Sequence, residues 1–114
     1  MDISYYPTGS HVISQNDAGS GLFIILDGEV IVIEQDIHTE TLETSDYFGD
    51  MSVFLNIKKS MSDVSCSKMC KIGHIDMKNM DLLKCAFPDW TQTMQQKTYE
   101  KYQEKLDEAD VTTM

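Results

Sequence analysis

Apolar residues fall in short clusters over the first two-thirds of the chain and in helical stripes over the last third. Ile3–Tyr6 is an apolar and aromatic run closed by Pro7-Thr8-Gly9, and His11–Ser14 is a second candidate strand. Asn16 to Gly21 reads as a loop by composition. Leu22–Leu26 and Val30–Ile33 follow as β-rich runs, with Asp27-Gly28 between them as a hairpin signal, because that pair tolerates positive φ. Their apolar positions are successive rather than alternating, which predicts strands covered on both faces. Ile37–Leu42 is a weaker strand. In Tyr47–Leu55, the residues Met51, Phe54 and Leu55 take helical spacing, so a short helix opening near Gly49 is expected. Ser62–Ser67 and Met69–Ile75 return to strand. Asp76 is a candidate N-cap for a helix over Met77–Ala86, with Met77, Met80, Leu83 and Phe87 on one face. Pro88 breaks that run. Asp89–Glu108 is the longest helical candidate, with Trp90, Met94, Tyr102 and Leu106 on one stripe and i,i+3 Lys–Glu pairs beside it. The last residues are expected to fray.

The order predicts an α+β domain: a jelly-roll-like antiparallel β-roll of about eight strands over 1–75, a short helix inserted before the last two, and two C-terminal helices over 76–108. A chain of 114 residues with 41% hydrophobic positions suits one such domain, 1–114, with one core.

Charge changes the picture more than composition does. Residues 1–57 carry ten acids and no Lys or Arg; residues 58–114 carry nine acids and nine Lys; the net charge is −10. Such a surface repels a phosphate backbone, so nucleic acid is not an expected partner. Lys58 and Lys59 are the first positive side chains met along the chain. No apolar run approaches the roughly 20 residues needed to span a bilayer, and no secretory leader is expected. Cys66, Cys70 and Cys85 are an odd set, which suits a reducing compartment and small core hydrophobes better than a disulfide framework or a zinc site. His11, His38 and His74 lack the close spacing of a metal-binding roll, and His74 is expected to be a satisfied, partly buried histidine. No nucleophile elbow or P-loop occurs, so an enzyme is not expected.

Three segments carry a resemblance. They are Tyr5-Tyr6-Pro7-Thr8-Gly9 with Asn16–Ile25 and Asp27-Gly28-Glu29-Val30; Leu42 with Asp46-Tyr47-Phe48-Gly49-Asp50-Met51-Ser52; and Cys70–Ile75 running into Phe87-Pro88-Asp89. In this order they resemble the cyclic-nucleotide-binding domain over nearly the whole chain. The Phe87-Pro88-Asp89 junction is most similar to the cytoplasmic domains of hyperpolarisation-activated, cyclic-nucleotide-gated and ether-à-go-go channels, with related domains in sodium/proton exchangers. The resemblance implies a fragment of a longer parent at the cytoplasmic face of a membrane. It implies the parent's membrane-embedded part as a partner, and homo-oligomers formed through the parent. It implies cAMP or cGMP as ligand, no other cofactor, and a final helix that folds over the pocket. Residues 48–62 then form the phosphate-binding cassette, with Phe48, Gly49, Asp50, Met51, Ser52, Lys59, Ser60, Met61 and Ser62 as ligand-binding candidates and no metal or catalytic residue.

The sequence departs from that family at two points. Asp50 replaces the usual glutamate that takes the ribose 2′-hydroxyl and is one methylene shorter. The arginine that clamps the phosphate is replaced by Lys59 or by Ser60, depending on the alignment. Lysine keeps the charge without the planar fork, and serine keeps neither. A charged hydrogen bond contributes ~1.5–3 kcal/mol, so its loss weakens binding roughly 10- to 150-fold. Met61 is expected to crowd the pocket, and Asp63 to add an unwelcome negative charge. Two readings stay open: a weak cyclic-nucleotide sensor that relays binding through the last helix, or a homologous domain that no longer binds and acts as a structural or interaction module. A transcription regulator would need a DNA-reading helix pair beyond the last helix.

Overall fold

The computed structural model describes residues 1–55, 57–60 and 62–113, with side chains in the last helix as far as Gln103. Eight strands and three helices follow one another: β1 (Asp2–Tyr6), β2 (His11–Ile13), β3 (Leu22–Asp27), β4 (Glu29–Glu34), β5 (Ile37–Glu43), β6 (Tyr47–Phe48), α1 (Asp50–Phe54), β7 (Asp63–Cys66), β8 (Cys70–Ile75), α2 (Met77–Ala86) and α3 (Pro88–Thr113). The strands form two antiparallel four-stranded sheets, ordered β1-β8-β3-β6 and β2-β7-β4-β5. This is the expected antiparallel roll with an inserted helix and a helical tail.

Alternation explains which side chains meet between the sheets. Phe23 and Ile25 of β3 and Val30 and Val32 of β4 turn inward and are buried with Leu42, Phe48, Val64, Cys66, Cys70 and Ile72. The intervening Ile24, Leu26, Ile31 and Ile33 are half-buried, so the outer faces are less covered than the continuous apolar runs suggested.

The Asp27-Gly28 pair does not make a hairpin. β3 and β4 belong to different sheets, and Gly28, at φ 128°, turns the corner between them. A Cβ there would sit 2.6 Å from Cys70 Sγ and 2.8 Å from the Met69 carbonyl oxygen, so the corner needs glycine twice over. The tight hairpin lies one strand later, where Gln35 and Asp36 take φ of 50° and 64° between β4 and β5.

A second cluster holds the helices. Leu22, Val53, Phe54 and Met80 are buried together, with Tyr47, Ile75, Met77, Leu83 and Met94 packed around them. α2 starts as expected, Asp76 accepting from the Asn79 amide at 2.8 Å. Phe87 is 57% exposed rather than on the packed face, because α2 ends there and Pro88 redirects the chain into α3. α3 does not stop near Glu108; its backbone stays helical to Thr113. Cys66 and Cys70 are the expected core thiols, and burial pushes the Cys66 thiol up to about 12. Cys85 is exposed on α2, which corrects its assignment to the core.

Candidate functional site

β6 brings the chain to the edge of the β1-β8-β3-β6 sheet, where Phe48 pairs with Phe23 and the two rings stack at 5.0 Å. Phe23 also stacks on His74 at 4.4 Å, and His74 Nε2 sits 2.7 Å from the Ser20 carbonyl oxygen, which makes this histidine a satisfied one. Gly49 then takes φ +86° as N-cap of α1. A Cβ at Gly49 would meet the Gly21 carbonyl oxygen, so both the backbone turn and the close loop contact exclude a side chain. The turn is what aims the first turn of α1 at the loop 17–21.

Between this turn and the roll lies a cavity of about 100 Å³. Phe48, Gly49, Asp50, Met51 and Ser52 form one side, and Lys59, Ser60 and Ser62 another. Val32, Leu42 and Val64 supply an apolar wall from the β2-β7-β4-β5 sheet. Eight of the nine expected binding residues therefore share one cavity; Met61 lies outside the described residues. Ligand pockets commonly run ~300–1,000 Å³. This cavity is smaller, and Tyr102 of α3 is among the residues that line it.

The lining charges are Asp17, Glu40, Asp50 and Lys59, so Lys59 is the one cation among the described lining residues. It is exposed and lies in a bridge to Ala18 across the cavity rim. Of the two candidates for the clamp, Ser60 is already engaged. Its hydroxyl donates to the Ser62 carbonyl at 2.7 Å and accepts from the Ser62 amide at 3.2 Å. Its backbone pairs with Asn16 and Asp17. Ser60 shapes the loop, and Lys59 is left as the cation that lines the cavity. Ser62 donates to Glu34 at 2.8 Å. Asp63 is absent from the described lining; its carboxylate accepts from the Gln15 amide at 2.6 Å, which removes the expected repulsion from the cavity.

Asp50 is 1% exposed, and α3 satisfies it. Thr98 Oγ1 donates to Asp50 Oδ2 at 3.3 Å, and the Tyr102 phenol donates to Asp50 Oδ1 at 3.2 Å. Burial, then the charges of Asp50 and Glu40, raise the Tyr102 phenol above its ordinary value, so it remains a neutral donor. Tyr47 is shifted upward by burial and then by Asp50 and Asp46. Lys101 extends the contact, lying 3.9 Å from Glu40 Oε1 and over the rings of Tyr47 and Tyr102. Tyr102 lies on the apolar stripe that the sequence shows, but no sequence signal points to its partner or to Thr98. Thr98 is buried in an otherwise polar helical stretch, and Asp50 lies 48 residues away, so no local spacing connects them.

A family model described as the cyclic nucleotide-binding domain matches residues 3–83. A cGMP-dependent protein kinase of Plasmodium berghei (strain Anka) is 27% identical over 71 residues, which are 62% of this chain and 8% of the kinase. Among solved structures, cAMP-bound PfPKA-R is similar at a TM-score of 0.79 and 21% identity, over 96% of this chain and 37% of that one. The C-linker/CNBHD of zELK channels, crystallised in the presence of cAMP, is similar at a TM-score of 0.74 and 19% identity, over 87% of this chain and 51% of that one. These structural likenesses establish the roll.

Proposed function

The chain belongs to the cyclic nucleotide-binding domain family, and from that premise we propose that it is a regulatory module, not an enzyme, which binds cAMP or cGMP weakly and passes the event on through α3. The observation that carries this is the cavity shared by residues 48–52, Lys59 and the apolar strand wall. Apolar Val32, Leu42 and Val64 suit a base, the exposed Lys59 ammonium suits a cyclic phosphate, and buried Asp50 suits a hydroxyl donor, since a carboxylate accepts and never donates. Weakness follows from three carboxylates lining the cavity against one lysine, and from an ammonium where a fork would grip two phosphate oxygens. The motion falls to α3 because the same helix touches both the pocket, through Tyr102, and α1, where Trp90 meets Phe54 edge-on at 5.7 Å.

The parent is proposed to be an ion channel or transporter whose membrane part this domain biases from the cytoplasmic face. The Phe87-Pro88-Asp89 junction and the likeness to a channel CNBHD support that reading. No helix among the described residues is long and apolar enough to cross a membrane, so such a part would lie elsewhere in the parent.

Calorimetric titration with cAMP and with cGMP tests the binding. Saturable heat at sub-millimolar to millimolar ligand is expected, with Lys59→Arg binding roughly 10-fold tighter for one more charged hydrogen bond. No heat from either ligand, with Lys59→Arg equally silent, refutes it and leaves the second reading, a homology domain working through contacts alone. The engagement of Asp50 by Thr98 and Tyr102 favours that second reading.

A further inference from the structure

The ligand site and the docking site of α3 share one acceptor. Each oxygen of Asp50 accepts one hydrogen bond from α3, one from Thr98 and one from Tyr102, and the residue is 1% exposed. Thr98 is equally buried, and Tyr102 lines the cavity of about 100 Å³. One helical turn of α3 therefore covers the hydroxyl-binding end of the pocket. Lys101, between those two residues, lies 3.9 Å from Glu40 Oε1, so the same turn contacts both α1 and β5.

We infer that Thr98 and Tyr102 form a latch that competes with the ligand's ribose 2′-hydroxyl for Asp50, so that a cyclic ribonucleotide releases α3 while a ligand lacking that hydroxyl leaves it docked. This rests on the cyclic-nucleotide reading of the pocket and adds to it the direction of the motion and the ligand group that drives it. Burial sets up the competition: with Asp50 1% exposed and held by both hydroxyls, a ligand hydroxyl reaches it only when a neighbouring group gives way, and Tyr102 is the one of the two that lines the cavity. The ligand shifts α3 by as much as it prefers the undocked state, and the preference comes from the contact its hydroxyl makes with Asp50 only there. Thr98 and Tyr102 thereby weaken binding of any ligand that needs Asp50 and set its dependence on the sugar.

The test combines hydrogen exchange with ligand titration on the full chain. The probes are cAMP, cGMP and 2′-deoxy-cAMP; the variants are Tyr102→Phe and Thr98→Val. In the chain without added ligand, each variant is expected to raise amide exchange in residues 90–103 about tenfold while β3, β4 and β8 stay protected. Protection in those strands shows that the variant is folded. Saturating cAMP or cGMP is expected to raise exchange over the same residues of the wild type, and 2′-deoxy-cAMP is not. Tyr102→Phe is expected to bind cAMP about 5- to 10-fold tighter than the wild type. The latch is overturned, with the nucleotide reading intact, if cAMP binds but protects residues 90–103, or binds Tyr102→Phe no tighter. If no probe binds the wild type or either variant, the nucleotide reading fails and the competition falls with it.

Discussion

Asp50 shows how one buried side chain can tie distant parts of a chain together. A carboxylate removed from water is tolerated where donors replace the solvent, and Thr98 and Tyr102 supply them from a helix 48 and 52 residues downstream. Asp50→Ala strands both hydroxyls, and chemical denaturation should show a loss of ~1–3 kcal/mol. Tyr102 adds a pH signature. Its phenol is held above the ordinary 10.0 in the folded chain, so its contribution is intact below about pH 10 and is lost as pH rises past that point, where the unfolded chain ionises first. Tyr102→Phe should therefore flatten the alkaline limb of a stability–pH profile; an unchanged limb would place the phenol in water. Gly49 is constrained twice, by φ +86° and by the Gly21 carbonyl, and Gly49→Ala should cost ~1–3 kcal/mol and shift the amides of α1 in NMR spectra. The glycine and the acid were legible because their neighbours in the chain define them. The hydroxyls were not, because their meaning depends on a contact that sequence distance hides.

Elements were legible where one periodicity ruled. α2 matches its expected bounds to the residue, since Asp76 and Pro88 bracket it. β6 is not legible as a strand of its own, because two residues are too few to show an alternation. Asp27-Gly28 misled for a related reason: the pair fixes a backbone conformation, but a roll uses that conformation for a corner between sheets as readily as for a hairpin. The true hairpin, at Gln35-Asp36, lacks the usual glycine. The helices are joined by specific contacts. Lys84 of α2 donates to the Val53 carbonyl at 2.8 Å, closing the C-terminal end of α1, while Phe54 fills the space under Trp90. Phe54 is 1% exposed, so Phe54→Ala should cost ~3–5 kcal/mol and move the fluorescence of Trp90, the chain's single tryptophan, to longer wavelength. A Trp90 spectrum that does not respond would mean that α1 and α3 are not coupled through this pair.

At the scale of the whole molecule, the charge distribution opposes the ligand. A net charge of −10, with no Lys or Arg before Lys58, surrounds a cavity that, on the proposed function, accepts an anion. Salt should accordingly strengthen cyclic-nucleotide binding slightly, as the Debye length falls from ~30 Å at 0.01 M to ~10 Å at 0.1 M. A site governed by its phosphate clamp would weaken instead, so the sign of the salt effect reports whether Lys59 or the acidic field dominates. The global arrangement was legible from the order of strand and helix signals, and the overall charge from a simple count. Which carboxylates the fold would gather at the cavity was not: Glu40 arrives from β5 and Asp17 from a loop, while Asp63, nearer in sequence to the cassette, is turned away to the Gln15 amide. The measurement that goes most directly to the function is a titration of the isotope-labelled chain with cAMP, followed through the backbone amides. Gly49, Asp50, Met51, Ser52 and Lys59 should shift together along one saturable curve, with Thr98 and Tyr102 on the same curve. Amides at 49–52 that stay in place at millimolar cAMP would contradict it.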